Sequence, residues 1–145
     1  MLLEGIVSDM PVLVIVNSGA HHNFVSMGVL RLLEIPISLN KPFGVRLGDG
    51  RRVLSSGLCK ALPVQIGSFT VEVDAFLFDT ASPVIVLGMA WLATLGYVTS
   101  HWKNLNMSFE YQWWRVTLQG LRSGLDALMA LQALLDGENL PAQGP

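Results

Sequence analysis

Asn17, Ser18 and Gly19 make a polar bend directly after the apolar run Val12-Leu13-Val14-Ile15-Val16. Five consecutive apolar residues, four of them β-branched, predict a strand buried on both faces. The bend at its end is then expected to lie deep, where backbone groups must be satisfied locally and side chains sit in a water-poor setting that can be tuned for chemistry. Other chemistry-bearing groups make weaker cases. Ser18 lacks the Gly-x-Ser-x-Gly flanks of a nucleophile elbow. His21 and His22 adjoin the bend and His101 is distant, but adjacent histidines in a loop point apart and no carboxylate or thiol stands at ligand spacing. No metal and no organic cofactor is expected. Asp79-Thr80-Ala81 has the outline of a second bend, but Ala in third place makes it a strand-end turn. The chain thus carries half of any site that needs two such bends, and the other half would have to come from a second copy across a two-fold axis.

The elements that must hold this bend are those of one domain. A chain of 145 residues can bury a substantial core but is short for two domains. Its 51% hydrophobic and 14% charged content, with mean hydropathy of +0.48, predicts apolar surface that meets a partner, self-association first. A net charge of -2 gives no basic field for phosphate backbones and argues against nucleic-acid binding. No apolar run reaches the roughly 18 residues needed to cross a bilayer, and no basic region with a cleavage signature opens the chain. The expectation is therefore a cytosolic or nuclear setting without membrane contact. Cys59, the single cysteine, is expected to be a buried small hydrophobe.

Along the chain, residues 2–7 predict a first strand, with Ser8-Asp9-Met10-Pro11 turning it into the central run. Apolar spacing over Asn23 to Leu33 predicts a short helix ending before Pro36, against which Gly28 counts. Asp49-Gly50 between alternating segments, Phe43 to Leu54, predicts a β-hairpin tip. Strands are expected over Cys59 to Ile66 and Phe69 to Phe78, joined at Gly67-Ser68, and a buried strand over Pro83 to Gly88. Met89 to Leu95 predicts a short helix closed by Gly96. Met107 to Phe109 and Arg115 to Leu118 predict a last hairpin, with Glu110 to Trp114 at its turn and two exposed indoles, Trp113 and Trp114, marking a partner surface or packing on the tail. Beyond residue 120, Ser123 to Asp126 resembles a capping box. Leu125, Leu128, Met129, Leu131, Leu134 and Leu135 then form an aliphatic stripe stopped at Gly137, with a linker after it.

The run into Asn17-Ser18-Gly19-Ala20 and then His22-Asn23-Phe24-Val25-Ser26 resembles the Asp-Ser/Thr-Gly loop of retropepsin-type aspartic proteases, above all those of gypsy-class LTR retrotransposon polyproteins. Val86-Leu87-Gly88 leading into Met89–Leu95 is similar to the family's hydrophobic-hydrophobic-Gly strand and helix. Trp91-Leu92-Ala93-Thr94-Leu95-Gly96 and Trp102-Lys103-Asn104-Leu105 fit the retrotransposon pattern of a helix and a further strand. The resemblance covers about residues 5 to 120, leaving residues 121–145 as a C-terminal helix and linker tail. It departs at one position, since the family has its catalytic aspartate where this chain has Asn17.

The resemblance implies a mainly all-β, closed-barrel retropepsin fold with one short helix after Gly88. The protein would act as a homodimer on an extended peptide or Gag-Pol polyprotein substrate. Asn17 stands at the catalytic position, with Ser18 and Gly19 as loop braces and Ala20 and Val86 lining the substrate. Leu47, Gly48, Asp49, Gly50 and Arg51 fall in the flap that closes over it. Aspartic proteolysis uses two carboxylates sharing one proton, one as base toward water and one as acid toward the scissile carbonyl. An amide of nearly the same shape removes both roles, so this copy is expected to be folded, dimer-competent and hydrolytically inactive or impaired. A non-catalytic module that holds peptide by strand addition is the competing expectation.

Overall fold

A computed structural model of the chain describes residues 1–33, 38–46, 52–79 and 82–121. The elements are β1 (Leu2–Val7), β2 (Met10–Val16), β3 (Phe24–Ser26), α1 (Met27–Leu33), β4 (Ser38–Arg46), β5 (Arg52–Ile66), β6 (Phe69–Phe78), β7 (Val84–Leu87), α2 (Met89–Leu95), β8 (Thr99–His101), β9 (Asn106–Tyr111) and β10 (Trp114–Gln119). The first sheet runs β1-β2-β7-β3-β6-β5-β4, and a contact between Ile6 of β1 and Gln65 of β5 closes its first six strands into a barrel. Strand β4 adds to the free part of β5. A separate three-stranded sheet, β10-β9-β8, completes the fold. None of the helices among the described residues is long and apolar enough to cross a membrane.

Local chemistry sets the hairpins. The β1–β2 turn is the two residues Ser8 and Asp9, both at positive φ (48° and 68°), which is the backbone twist that lets a two-residue turn match the twist of its strands. It is tighter than the four-residue turn expected from Pro11. Pro11 lies within β2 opposite Ile6, but β7 first pairs with β2 at Leu13. The missing N–H of Pro11 therefore falls where the ladder has no partner on that side. Strand β5 is continuous from Arg52 to Ile66 where a strand from Cys59 was expected. A shift of register between Cys59 and Leu62, with Ala61 at φ 53°, bends it. The freed N–H of Ala61 donates to the Asp74 carboxylate at 2.8 Å.

Three expectations need correction. Only Val12 and Val14 of the central run are buried, whereas Leu13, Ile15 and Val16 are half-buried, so β2 has one core face and one partly covered face. The short strand buried throughout is β3, wedged between β6 and β7. Its Phe24-Val25-Ser26 was expected to begin a helix, but pairing on both sides holds it extended and α1 starts only at Met27. Trp102 to Leu105, expected as a strand, is instead the turn between β8 and β9, with His101 opposite Asn106 and Leu105 at φ 53°. The helix expected over 125–135 lies outside the described residues.

The core is continuous between barrel and small sheet. Leu3, Val14, Val25, Leu62, Val64 and Ile85 fill the barrel, and Phe109 of β9 joins them to Trp91 of α2 and Phe69 of β6. The ring of Phe109 meets Phe69 edge-on at 5.4 Å and Trp91 at 6.0 Å, the T-shaped arrangement favoured by aromatic quadrupoles. Phe109 is thus the pin between α2, the small sheet and the barrel. Replacing it with Ala should lower unfolding free energy by about 3–5 kcal/mol, read from the midpoint of urea denaturation at constant slope.

Candidate functional site

Strands β2 and β3 follow each other in the chain but do not pair, because β7 lies between them, parallel to β2 and antiparallel to β3. The connection Asn17 to Asn23 must therefore arch over the end of β7, where Leu87 gives way to Gly88. Backbone bonds rivet the arch to the strand and helix beneath it. Asn17 N–H donates to Leu87 O at 3.0 Å, Met89 N–H to Ala20 O at 2.7 Å, and Ala90 N–H to His21 O at 3.0 Å. Within the arch, Ala20 N–H donates to Asn17 O at 3.2 Å. At Gly88 a Cβ would stand 2.6 Å from Ala20 O and even nearer His22 O, so only glycine allows the crossing.

The second half of the arch is fixed by a side chain. Asn23, buried, accepts the Gly88 N–H on Oδ1 at 3.0 Å and donates from Nδ2 to Asp74 O at 3.2 Å. Its own carbonyl accepts the Phe76 N–H at 2.9 Å. One residue thereby joins the arch to β7 and β6. Ser26, also buried, plays a similar part lower down: its hydroxyl donates to Ser82 O at 2.6 Å and accepts the Val84 N–H at 3.0 Å.

Asn17, Ser18 and Gly19 are exposed, which corrects the expectation of a deep bend. The cause is that β2 and β7 end together, with Val16 opposite Leu87, so the bend stands at the rim of the barrel. The Asn17 side chain folds onto its own loop, its Oδ1 accepting the Gly19 N–H at 2.8 Å. The NH2 of the same amide takes no part in that bond. An aspartate there would accept the same bond with one oxygen and present the other. Ala20 is buried and packs with Phe24, Phe76, Phe78 and Val86, so the expected lining pair Ala20 and Val86 is brought together beside the bend. His22 is exposed and meets the Phe76 ring edge-on at 5.1 Å.

The hairpin expected to cover the site is present as the β4–β5 pair, with Arg46 opposite Arg52. Its tip, Leu47 to Arg51, lies outside the described residues, as do Thr80 and Ala81. No group of three or more potential metal ligands occurs among the described residues. Asn23 was missed by the sequence reading. Its only signal was a short polar side chain ahead of three residues that become buried, which does not reveal a partner over sixty residues away.

An arch over a parallel-paired strand, with glycine beneath it and a Ser-Gly bend at its crest, defines the half-site architecture of a retropepsin-like domain. A family model for the retroviral aspartyl protease matches residues 3–108, and the chain belongs to that family. Among solved structures it is similar to the retroviral protease-like domain of Ddi1 from Leishmania major, with a TM-score of 0.60 and 16% identity over 83% of this chain and 93% of that one. At that identity the likeness is one of fold. No curated protein matches.

The Asn23 bridge and the neighbouring thiol give two tests. Asn23→Ala leaves the buried Gly88 N–H without an acceptor and should cost about 1–3 kcal/mol of stability in chemical denaturation. Cys59 is buried, and that burial, aided by the Asp74 carboxylate, pushes its thiol pKa upward. Thiolate is therefore scarce at neutral pH, and labelling with a maleimide should be slow in the native chain and fast once denatured.

Proposed function

We propose that this chain is the protease-type domain of a gypsy-class retrotransposon Gag-Pol polyprotein, assembled as a homodimer around an extended peptide, with hydrolysis lost or impaired at Asn17. The observation that carries the reading is the position of Asn17: first residue of the bend, on the crest of the riveted arch, exposed, with its Oδ1 held by the Gly19 N–H of its own loop. A site shared between two chains requires that exposure in each separate subunit. Ser18 and Gly19 brace the loop, Ala20 and Val86 line the peptide, and Leu47 to Arg51 close over it. A cytosolic or nuclear setting goes with this reading.

The chemistry follows from what an amide can do. Two carboxylates at a two-fold axis share a proton, so one is ready to take a proton from water while the other gives one to the carbonyl oxygen. Two asparagines do neither. They can still pair as donor and acceptor without charge, which favours the dimer over a wide pH range. The same fact supports a second reading, a pseudoprotease that holds peptide by strand addition along the hairpin and the groove edge.

Asn17→Asp separates these readings. The variant should gain peptidase activity of at least about 100-fold over the parent at acid pH, the size expected when acid–base groups are supplied. A variant that dimerises and cleaves nothing in a peptide library overturns the reading of Asn17 as the catalytic position of a protease. The parent's sedimentation should be that of a dimer and unchanged across about pH 4 to 8, since the Asn17 amide that pairs across the axis does not titrate. In the variant, pairing raises the pKa of one aspartate. The dimer should then be strongest below that raised pKa and weaken as pH rises through it.

A further inference from the structure

We propose that the open edge of β6 at Thr70 and Glu72 takes up an extended basic peptide as an added strand. The site is separate from the bend, and the inference is independent of Asn17.

The half of β6 that follows the Gly67-Ser68 turn is paired on one side. Strand β3 meets β6 from Phe76 onward, whereas Phe69 to Val73 pair with β5 and, among the described residues, with no other strand. The ladder groups this exposes follow from the alternation of antiparallel pairing. The two-residue turn makes Ile66 and Phe69 a hydrogen-bonded pair, so Val71 and Val73 also bond toward β5. Thr70, Glu72 and Asp74 then turn their N–H and C=O the other way. Two bonds on that side fit this phase: Asp74 O accepts from Asn23 Nδ2, and Phe76 N–H donates to Asn23 O. Asn23 thus closes the run where β3 begins, and the N–H and C=O of Thr70 and Glu72 have no partner among the described residues.

A groove of about 690 Å³ runs along this edge, and Ala90, Thr94 and Leu95 of α2 with Glu110 and Tyr111 of β9 supply its other wall. Asn17 to Ala20 do not line it. Charge selects the occupant. Glu72, Asp74 and Glu110 are exposed along the groove, and no Lys, Arg or His lines it among the described residues. Side chains alternate across a strand, so Thr70, Glu72 and Asp74 share one face, and a strand laid beside them sets every second residue next to these carboxylates. Antiparallel pairing of two copies about Glu72 would put like charges directly opposite, which disfavours a second copy as the cover. A segment with Lys or Arg at alternate positions meets opposite charge there, while its main chain satisfies the open ladder.

Titration of the full chain with acetyl-Lys-Val-Lys-Val-Lys-amide, followed at the backbone amides by NMR, tests this. The Thr70 and Glu72 amides should shift, and their hydrogen exchange should slow about tenfold or more at saturation. Methylating the main-chain nitrogens of the peptide's lysines keeps its charge and should weaken binding about tenfold or more. Glu72→Lys with Glu110→Lys should weaken it to a similar degree, with Cys59 still protected from labelling as the mark of a folded chain. Equal affinity for the methylated and unmethylated peptides overturns the proposal on the unaltered chain, because charge alone would then be the attraction. No shift at about 1 mM peptide, or shifts confined to residues 17–20, overturns it too. Slowed exchange at Thr70 and Glu72 that grows with protein concentration in the absence of peptide also overturns it, since a second copy would then be the cover.

Discussion

The structure depends on one crossing. Placing β7 between β2 and β3 forces residues 17–23 over the end of a strand, and a crossing of two backbones is possible only where a side chain is missing. Gly88 supplies the gap and Asn23 supplies the polar closure, accepting the N–H that the crossing would otherwise leave buried and unpaired. Sterics thus fix the height of the bend, and hydrogen bonds fix its direction. The position of the bend is an outcome of topology before it is an outcome of the residue that occupies it. This is why an asparagine can stand there without disturbing the fold: its Oδ1 makes the loop bond that a carboxylate oxygen would make.

Elsewhere the barrel is held by apolar burial of ordinary kind, and the small sheet is joined to it by aromatic contacts through Phe109. The two parts meet at α2, whose Trp91 is buried while Met89 and Ala90 face outward beneath the arch. Helix α2 has no side-chain cap at its start. Its first N–H groups go to the arch carbonyls of Ala20 and His21 instead. The orphan donors that every helix begins with are therefore the same bonds that hold the bend in place.

Much of this was legible in the sequence because it is local. The limits of β1, β6 and α2 follow from alternation, apolar runs and glycine punctuation, and the need for glycine at 88 follows from a strand crossing a loop. What the sequence concealed is set by partners far along the chain. Whether Leu13 and Ile15 are fully covered depends on the face that closure of the barrel leaves outward. Whether Phe24 starts a helix or a strand depends on β6 and β7 standing ready on either side. The bend at Ala61 needs the carboxylate of Asp74, and nothing near Ala61 announces it. Asn23 hides for the same reason. The strand expected at Trp102 to Leu105 came from the family resemblance, while the pairing of His101 with Asn106 leaves no room for extension.

Strand β5 begins in the hairpin and ends in the barrel wall without a break, so the two behave as one lever. Its fulcrum is the kink at Ala61, and the prop under that fulcrum is Asp74. The carboxylate of Asp74 steadies the kink, and its main-chain oxygen holds the amide of Asn23. A load applied at the far end of the hairpin and the footing of the bend therefore rest on a single residue.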